Sequence, residues 1–101
     1  MFVFTREDDR GVLRPEEDVV AASVPELRSR MRGAVAEGVR KLVVDMSKVH
    51  MVDSTGIGLL ISAHNTLHKL GGELAVVHAS KDILDLFQMM RIHQHFSVSG
   101  D

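Results

Sequence analysis

The residues of this chain whose types and spacing could do chemistry lie in the run Val52-Asp53-Ser54-Thr55-Gly56-Ile57-Gly58. It follows a buried-strand pattern, Lys41-Leu42-Val43-Val44-Asp45-Met46, and a short loop. A serine hydroxyl there can cap a helix, accept a phosphate or attack an acyl group. Ser54 is not in a Gly-x-Ser-x-Gly elbow, which disfavours hydrolysis. Gly56-Ile57-Gly58 is too short for a dinucleotide fingerprint, and the Gly-Lys-Ser/Thr ending of a phosphate loop is absent. What remains is a helix start just beyond a strand's C-terminal end, where ligands gather in open α/β sheets. Ser54 or Asp53 can cap that helix, and its free first-turn N–H groups favour an anion, including a phosphate on the serine. The plain alternative is that Asp53-Ser54-Thr55 is only a good cap and the glycines permit close packing. Spacing alone leaves both readings open.

The histidines are the second candidate. His64 and His68 are four apart on the predicted helix, and His93 and His95 flank one residue near a later strand. No Glu follows as in His-Glu-x-x-His and no third ligand is evident, so both pairs read as surface or half-buried imidazoles, with no metal expected. There are no cysteines, which removes disulfides, zinc–thiolate sites and thiol catalysis. An enzyme built on Ser54, Asp53 and a histidine is disfavoured, because no base is brought to the serine by spacing and a chain this short leaves little room for a substrate pocket. No cofactor is expected.

These residues need elements to hold them. Phe2 to Thr5 and Val12 to Arg14 read as a hairpin around a polar turn, ended by Pro15. Ser23-Val24-Pro25-Glu26 has the form of a capping box, and Leu27, Met31, Ala34 and Val35 recur at helical spacing up to a stop at Gly38. Lys41–Met46 reads as a strand buried on both faces. A helix from Gly56 to Leu70, a strand from Glu73 to His78, a helix from Ser80 to about Met90 and a strand from His95 to Val98 complete the alternation. Met89 and Met90, with Ile83 and Phe87, read as core on the last helix. The expected fold is α/β, with a mixed, mostly parallel sheet of about five strands in the order β-β-α-β-α-β-α-β and an antiparallel first strand.

Composition narrows the function. The 101 residues carry 12 Lys and Arg against 14 Asp and Glu, and the only aromatics among Phe, Trp and Tyr are four Phe. Nucleic acid is an unexpected partner for such a surface, which lacks both a basic face and stacking rings. No apolar run approaches the roughly 20 residues of a membrane span, and the start Met1-Phe2-Val3-Phe4 is unlike a signal peptide. One cytoplasmic domain, residues 1–101, is expected, with no membrane partner.

On the Gly56–Leu70 helix, steps of 100° put Gly56, Leu59, Leu60, Ala63, Leu67 and Leu70 on the sheet side. Gly58, Ser62, Asn65, Thr66 and Lys69 fall toward solvent. A third stripe, Ile57, Ile61, His64 and His68, is expected to face outward beside Ser54 as part of a partner interface. The alternative for that stripe is shielding of the sheet edge.

The chain resembles a STAS domain, in particular the bacterial anti-sigma factor antagonists of the partner-switching type. The resemblance rests on Leu42-Val43-Val44-Asp45-Met46-Ser47-Lys48-Val49 and Val52-Asp53-Ser54-Thr55-Gly56-Ile57-Gly58-Leu59-Leu60, with Gly71-Gly72-Glu73-Leu74 and Ile83-Leu84-Asp85-Leu86-Phe87. It implies that Ser54 is the phosphorylation site. It also implies two partners, an anti-sigma factor that is a serine kinase and a PP2C-type phosphatase. Binding of the unphosphorylated antagonist frees the sigma factor, phosphorylation ends the complex, and the phosphatase resets it. Asp53, Ser54, Thr55, Gly56, Ile57, Ile61, His64 and Asp18 are the expected partner-binding residues, Thr55 chiefly by holding the loop. The family's Gly-Glu-Leu/Ile-Asp appears as Pro15-Glu16-Glu17-Asp18, with about two extra residues before the helix. Relatives commonly continue into a final helix beyond the point matching Asp101. A STAS subunit of a transporter or lipid-transport complex is the alternative reading, and weak homodimerisation through the terminal strands is left open.

Overall fold

In a computed structural model covering residues 1–101, the chain alternates as the pattern predicts. The elements are β1 (Phe2–Glu7), β2 (Arg10–Pro15), α1 (Val24–Ala36), β3 (Lys41–Asp45), α2 (Ser54–Lys69), β4 (Glu73–Val77), α3 (Lys81–Met89), a 3-10 turn (Ile92–Gln94) and β5 (Ser97–Val98). The sheet order is β1-β2-β3-β4-β5; β1 and β2 are antiparallel and every other pair is parallel. The hairpin strands run further toward their turn than hydrophobicity suggests, because Asp8 takes a left-handed φ of 54° that aspartate tolerates. No helix is long and apolar enough to cross a membrane.

Each parallel connection steps one strand in the same direction. With the near-universal right hand of such crossovers, α1, α2 and α3 share one face of the sheet. Strand burial agrees. Leu13, Val44 and Val76 lie in one cross-sheet row and are at most 1% exposed. Their neighbours on the opposite face, Val12, Val43 and Ala75, are only half-buried, and Val3 is 38% exposed. The expectation that Lys41–Met46 is buried on both faces is therefore corrected: the fold has two layers, and one sheet face carries no helix.

Between the layers, 23 apolar side chains form one continuous cluster. From α1 come Leu27, Met31 and Ala34; from α2, Ile57, Leu59, Leu60 and Leu67; from α3, Ile83 and Phe87. The helix ends are only partly as anticipated. The α1 capping box does not form: Ser23 has helical backbone angles and its side chain makes no cap bond. Its hydroxyl instead donates to the Asp18 carbonyl at 2.6 Å and accepts from Val20 N–H at 3.1 Å, bracing the connector before the helix. Ser80 does cap α3, accepting from Ile83 N–H at 3.2 Å. Met89 and Met90 are not core; they are 81% and 48% exposed, because Ile83 and Phe87 already define the buried stripe of a helix that ends there. Arg91, at φ 57°, then turns the chain so that Ile92 and Phe96 bury, and β5 shortens to two residues without His95. Leu70, 47% exposed, also leaves the apolar stripe of α2, lying just past the helix end.

Candidate functional site

The connector between β2 and α1 and the loop between β3 and α2 lie side by side at the C-terminal edge of the sheet. They are stitched by a parallel bridge between Val19 and Val52. Val19 N–H donates to Met51 O at 3.0 Å and Asp53 N–H to Val19 O at 3.2 Å. Two carboxylates reinforce the seam. Asp18 Oδ1 accepts from the N–H groups of both His50 (2.9 Å) and Met51 (3.0 Å). Asp53 spreads its two oxygens: Oδ1 accepts from Gly56 N–H at 2.9 Å, capping α2, and Oδ2 accepts from Ala21 N–H at 3.0 Å across the seam. Backbone donors that would be orphaned in an irregular loop are thereby satisfied.

Asp53 therefore takes the cap role, and Ser54, exposed, is the first helical residue. The N–H of Gly56, foremost, holds the Asp53 carboxyl below its usual range; burial opposes this, and Ala21 N–H adds to it. The residue next to Ser54 in the chain thus carries a negative charge at neutral pH. Gly56 is demanded by contact. A Cβ there would lie 2.2 Å from Val19 O and 3.0 Å from Val19 Cγ1 and Val52 Cγ1, so the first turn of α2 can reach the connector only without a side chain. At Gly58 a Cβ would meet nothing within 4 Å.

The structure brings Asp18, Asp53, Ser54, Thr55 and Gly56 together. It divides the third stripe of α2. Ile57, expected to face outward, is 6% exposed and belongs to the core, and Ile61 is half-buried against it. His64 is half-buried, its ring 5.7 Å from that of Phe96 and of His68 and 6.5 Å from that of His95. At His64 the physical reason is the return of the chain after α3, which lays Phe96 and His95 beside its ring. Burial pushes the His64 imidazole down, with His68 and His95 adding like-charge repulsion. Its Nδ1 is buried without a hydrogen-bond partner. Edge shielding thus describes most of this flank.

Sequence reasoning missed Met51, 57% exposed on the clamped loop two residues before the cap. Ala21 and Ala22 are exposed on the connector that the clamp holds. The alternation of Met51 out and Val52 in is a signal that a bridge register would have revealed, but nothing in the local pattern announces that bridge.

The fold is shared with proteins of known structure. An anti-sigma factor antagonist from Mycobacterium paratuberculosis aligns with a TM-score of 0.88 at 19% identity, over 100% of this chain and 86% of its own. The Bacillus cell-fate determinant SpoIIAA in its phosphorylated form gives a TM-score of 0.78 at 17% identity, over 97% of this chain and 90% of its own. The murine solute carrier 26 family member A9 anion transporter, in its inward-facing state, gives 0.76 at 18% identity, over 93% of this chain but 16% of its own. The family model of the STAS domain matches residues 2–100, and the chain belongs to that family.

Proposed function

We propose that this chain is an anti-sigma factor antagonist of the partner-switching kind, working in the cytoplasm. Unphosphorylated, it binds an anti-sigma factor that is also a serine kinase, and so releases the sigma factor. Phosphate transfer to Ser54 ends the complex, and a PP2C-type phosphatase removes the phosphate. The observation that carries this reading is the division of labour between neighbours: Asp53 caps α2, leaving the exposed Ser54 hydroxyl free at the helix start, next to a loop clamped from two sides. A phosphate brings about −1.5 to −2 charges at neutral pH. The helix start accommodates that charge, whereas a complex covering the loop would bury it beside the Asp53 carboxylate. The phosphate therefore acts on the interface and leaves the fold intact. Ser54, Thr55, Met51 and Gly58 supply the docking surface; Asp18, Asp53 and Gly56 hold it; Ile61 and His64 form its half-buried margin. Ile57, being core, acts only through packing.

The test is incubation of the protein with its candidate kinase and ATP, followed by intact mass. One phosphate on wild type and none on Ser54→Ala supports the switch. Ser54→Asp is expected to melt with wild type and to lose kinase binding; early melting or undiminished binding refutes the account. The alternative, a STAS subunit of a transporter or lipid-transport complex, draws on the likeness to the anion transporter. It moves ahead if no serine kinase of the host transfers phosphate to Ser54.

A further inference from the structure

Away from the clamped loop, the seam between α1 and α2 encloses a cavity of about 260 Å³ that opens to solvent. Its floor is apolar: Met31, Leu42, Leu59 and Ala63. The first three are at most 5% exposed, so this apolar lining is recessed beneath the surface. Arg28 and Arg32, one helical turn apart on α1, stand at its mouth. They also line an adjoining hollow of about 520 Å³ that reaches Ser29 and Thr55. The ion-paired arginines are Arg6, Arg14 and Arg30; Arg28 and Arg32 have no carboxylate within ion-pair distance. On the α2 side the wall is uncharged, contributing Ser62 and Thr66. A cationic rim over an apolar hole is thus left without an internal counter-charge.

We propose that this seam is a binding site for a small amphiphilic anion, with its slender apolar part in the cavity and its carboxylate or phosphate on Arg28 and Arg32. Size agrees: an apolar cavity of about 150 Å³ accepts benzene, so this one holds a ring or a medium alkyl chain. Charge agrees, because guanidinium groups pair bidentately with both headgroups. Leu42 and Leu59, at most 2% exposed, offer a flat protein surface little to touch, which favours a slim ligand. Sites of this kind, concave and apolar with a few convergent polar groups, occur between packed helices.

The probes are sodium octanoate, octyl phosphate, octan-1-ol and octylammonium chloride, titrated into the ¹⁵N-labelled full chain by NMR below their aggregation concentrations. Both anions are expected to shift the amides of Met31, Leu59 and Ala63, binding at least tenfold more tightly than octanol, with octylammonium weaker still. The ratio between octanoate and octyl phosphate identifies the headgroup. The double variant Arg28→Gln/Arg32→Gln loses at least tenfold toward the anions while octanol is unaffected. Ala63→Leu, which fills the hole, abolishes binding of all apolar probes. Equal binding of octylammonium overturns the proposal, as does an unchanged affinity in either variant, a shift pattern confined to the uncovered sheet face, or no anion binding at millimolar concentration. Titration of Ser54→Ala alongside keeps the result independent of whether Ser54 accepts phosphate.

Discussion

The pair of glycines at the start of α2 offers the sharpest test of how the site is built. In Gly56→Ala the new Cβ lies 2.2 Å from Val19 O, where ordinary contact begins near 3.4 Å. The helix or the connector must then retreat by about 1.2 Å. A retreat of that size breaks the 3.2 Å bond from Asp53 N–H to Val19 O and loosens the bridge beside it. Overpacking of this kind costs about 1–3 kcal/mol, and the lost hydrogen bond about 1 kcal/mol. The intrinsic helix preference of alanine over glycine returns up to about 1 kcal/mol. The net expectation is a loss of about 2–3 kcal/mol, or a melting point lower by roughly 10–20 °C for a domain of this size. Gly58→Ala meets no atom within 4 Å and keeps only the helix gain, so it stabilises by up to about 1 kcal/mol. Urea unfolding followed by circular dichroism at neutral pH measures both. A Gly56→Ala protein within about 0.5 kcal/mol of wild type, or a Gly58→Ala protein less stable than Gly56→Ala, refutes the close-contact argument.

Three other consequences are open to measurement. Asp18→Ala removes the acceptor shared by the His50 and Met51 amides, costing about 1–2 kcal/mol; hydrogen exchange should speed at those two amides well before it does in β3, and uniform acceleration would contradict a local clamp. The Asp53 carboxyl is held below its usual pKa, so its contribution is complete above about 3.9 and lost as pH falls through the lower native value. Asp53→Asn should be less stable than wild type at pH 7, with the gap closing toward pH 2 in thermal melts. For His64 the native pKa is also lowered, so its contribution is present above about 6.5 and lost as pH falls further. His64→Leu should flatten the decline in stability between pH 7 and pH 5, and an unchanged slope would remove His64 from the account.

The alternation of elements is legible because apolar periodicity switches between strands and helices at each turn, and the candidate site stands out because Asp53-Ser54-Thr55-Gly56 interrupts that pattern after a strand. Less was visible where long-range geometry decides. Lys41–Met46 looks buried on both faces because Val43 is as apolar as Val44, yet only the direction of the crossovers determines which face the helices cover. Ser23 has every local feature of a cap, but its hydroxyl is drawn to the Asp18 carbonyl by a connector that folds back on itself. Helical angle alone points Ile57 outward, yet it is 6% exposed and part of the common core, because burial depends on neighbours that a helical wheel does not contain. Asp18 could be noted in the sequence as an acidic residue after a strand. Its partners, the amides of His50 and Met51, are 32 and 33 residues away, a distance no local pattern spans.

That separation has a consequence for how the chain becomes competent. The loop leading to Ser54 owes part of its shape to groups on the connector, so its native form is complete only once connector and loop have met. A nascent, misfolded or partly melted chain still contains the same Asp53-Ser54-Thr55 tripeptide, but as an unstructured stretch. Any protein that recognises the assembled surface therefore discriminates finished molecules from unfinished ones at no added expense.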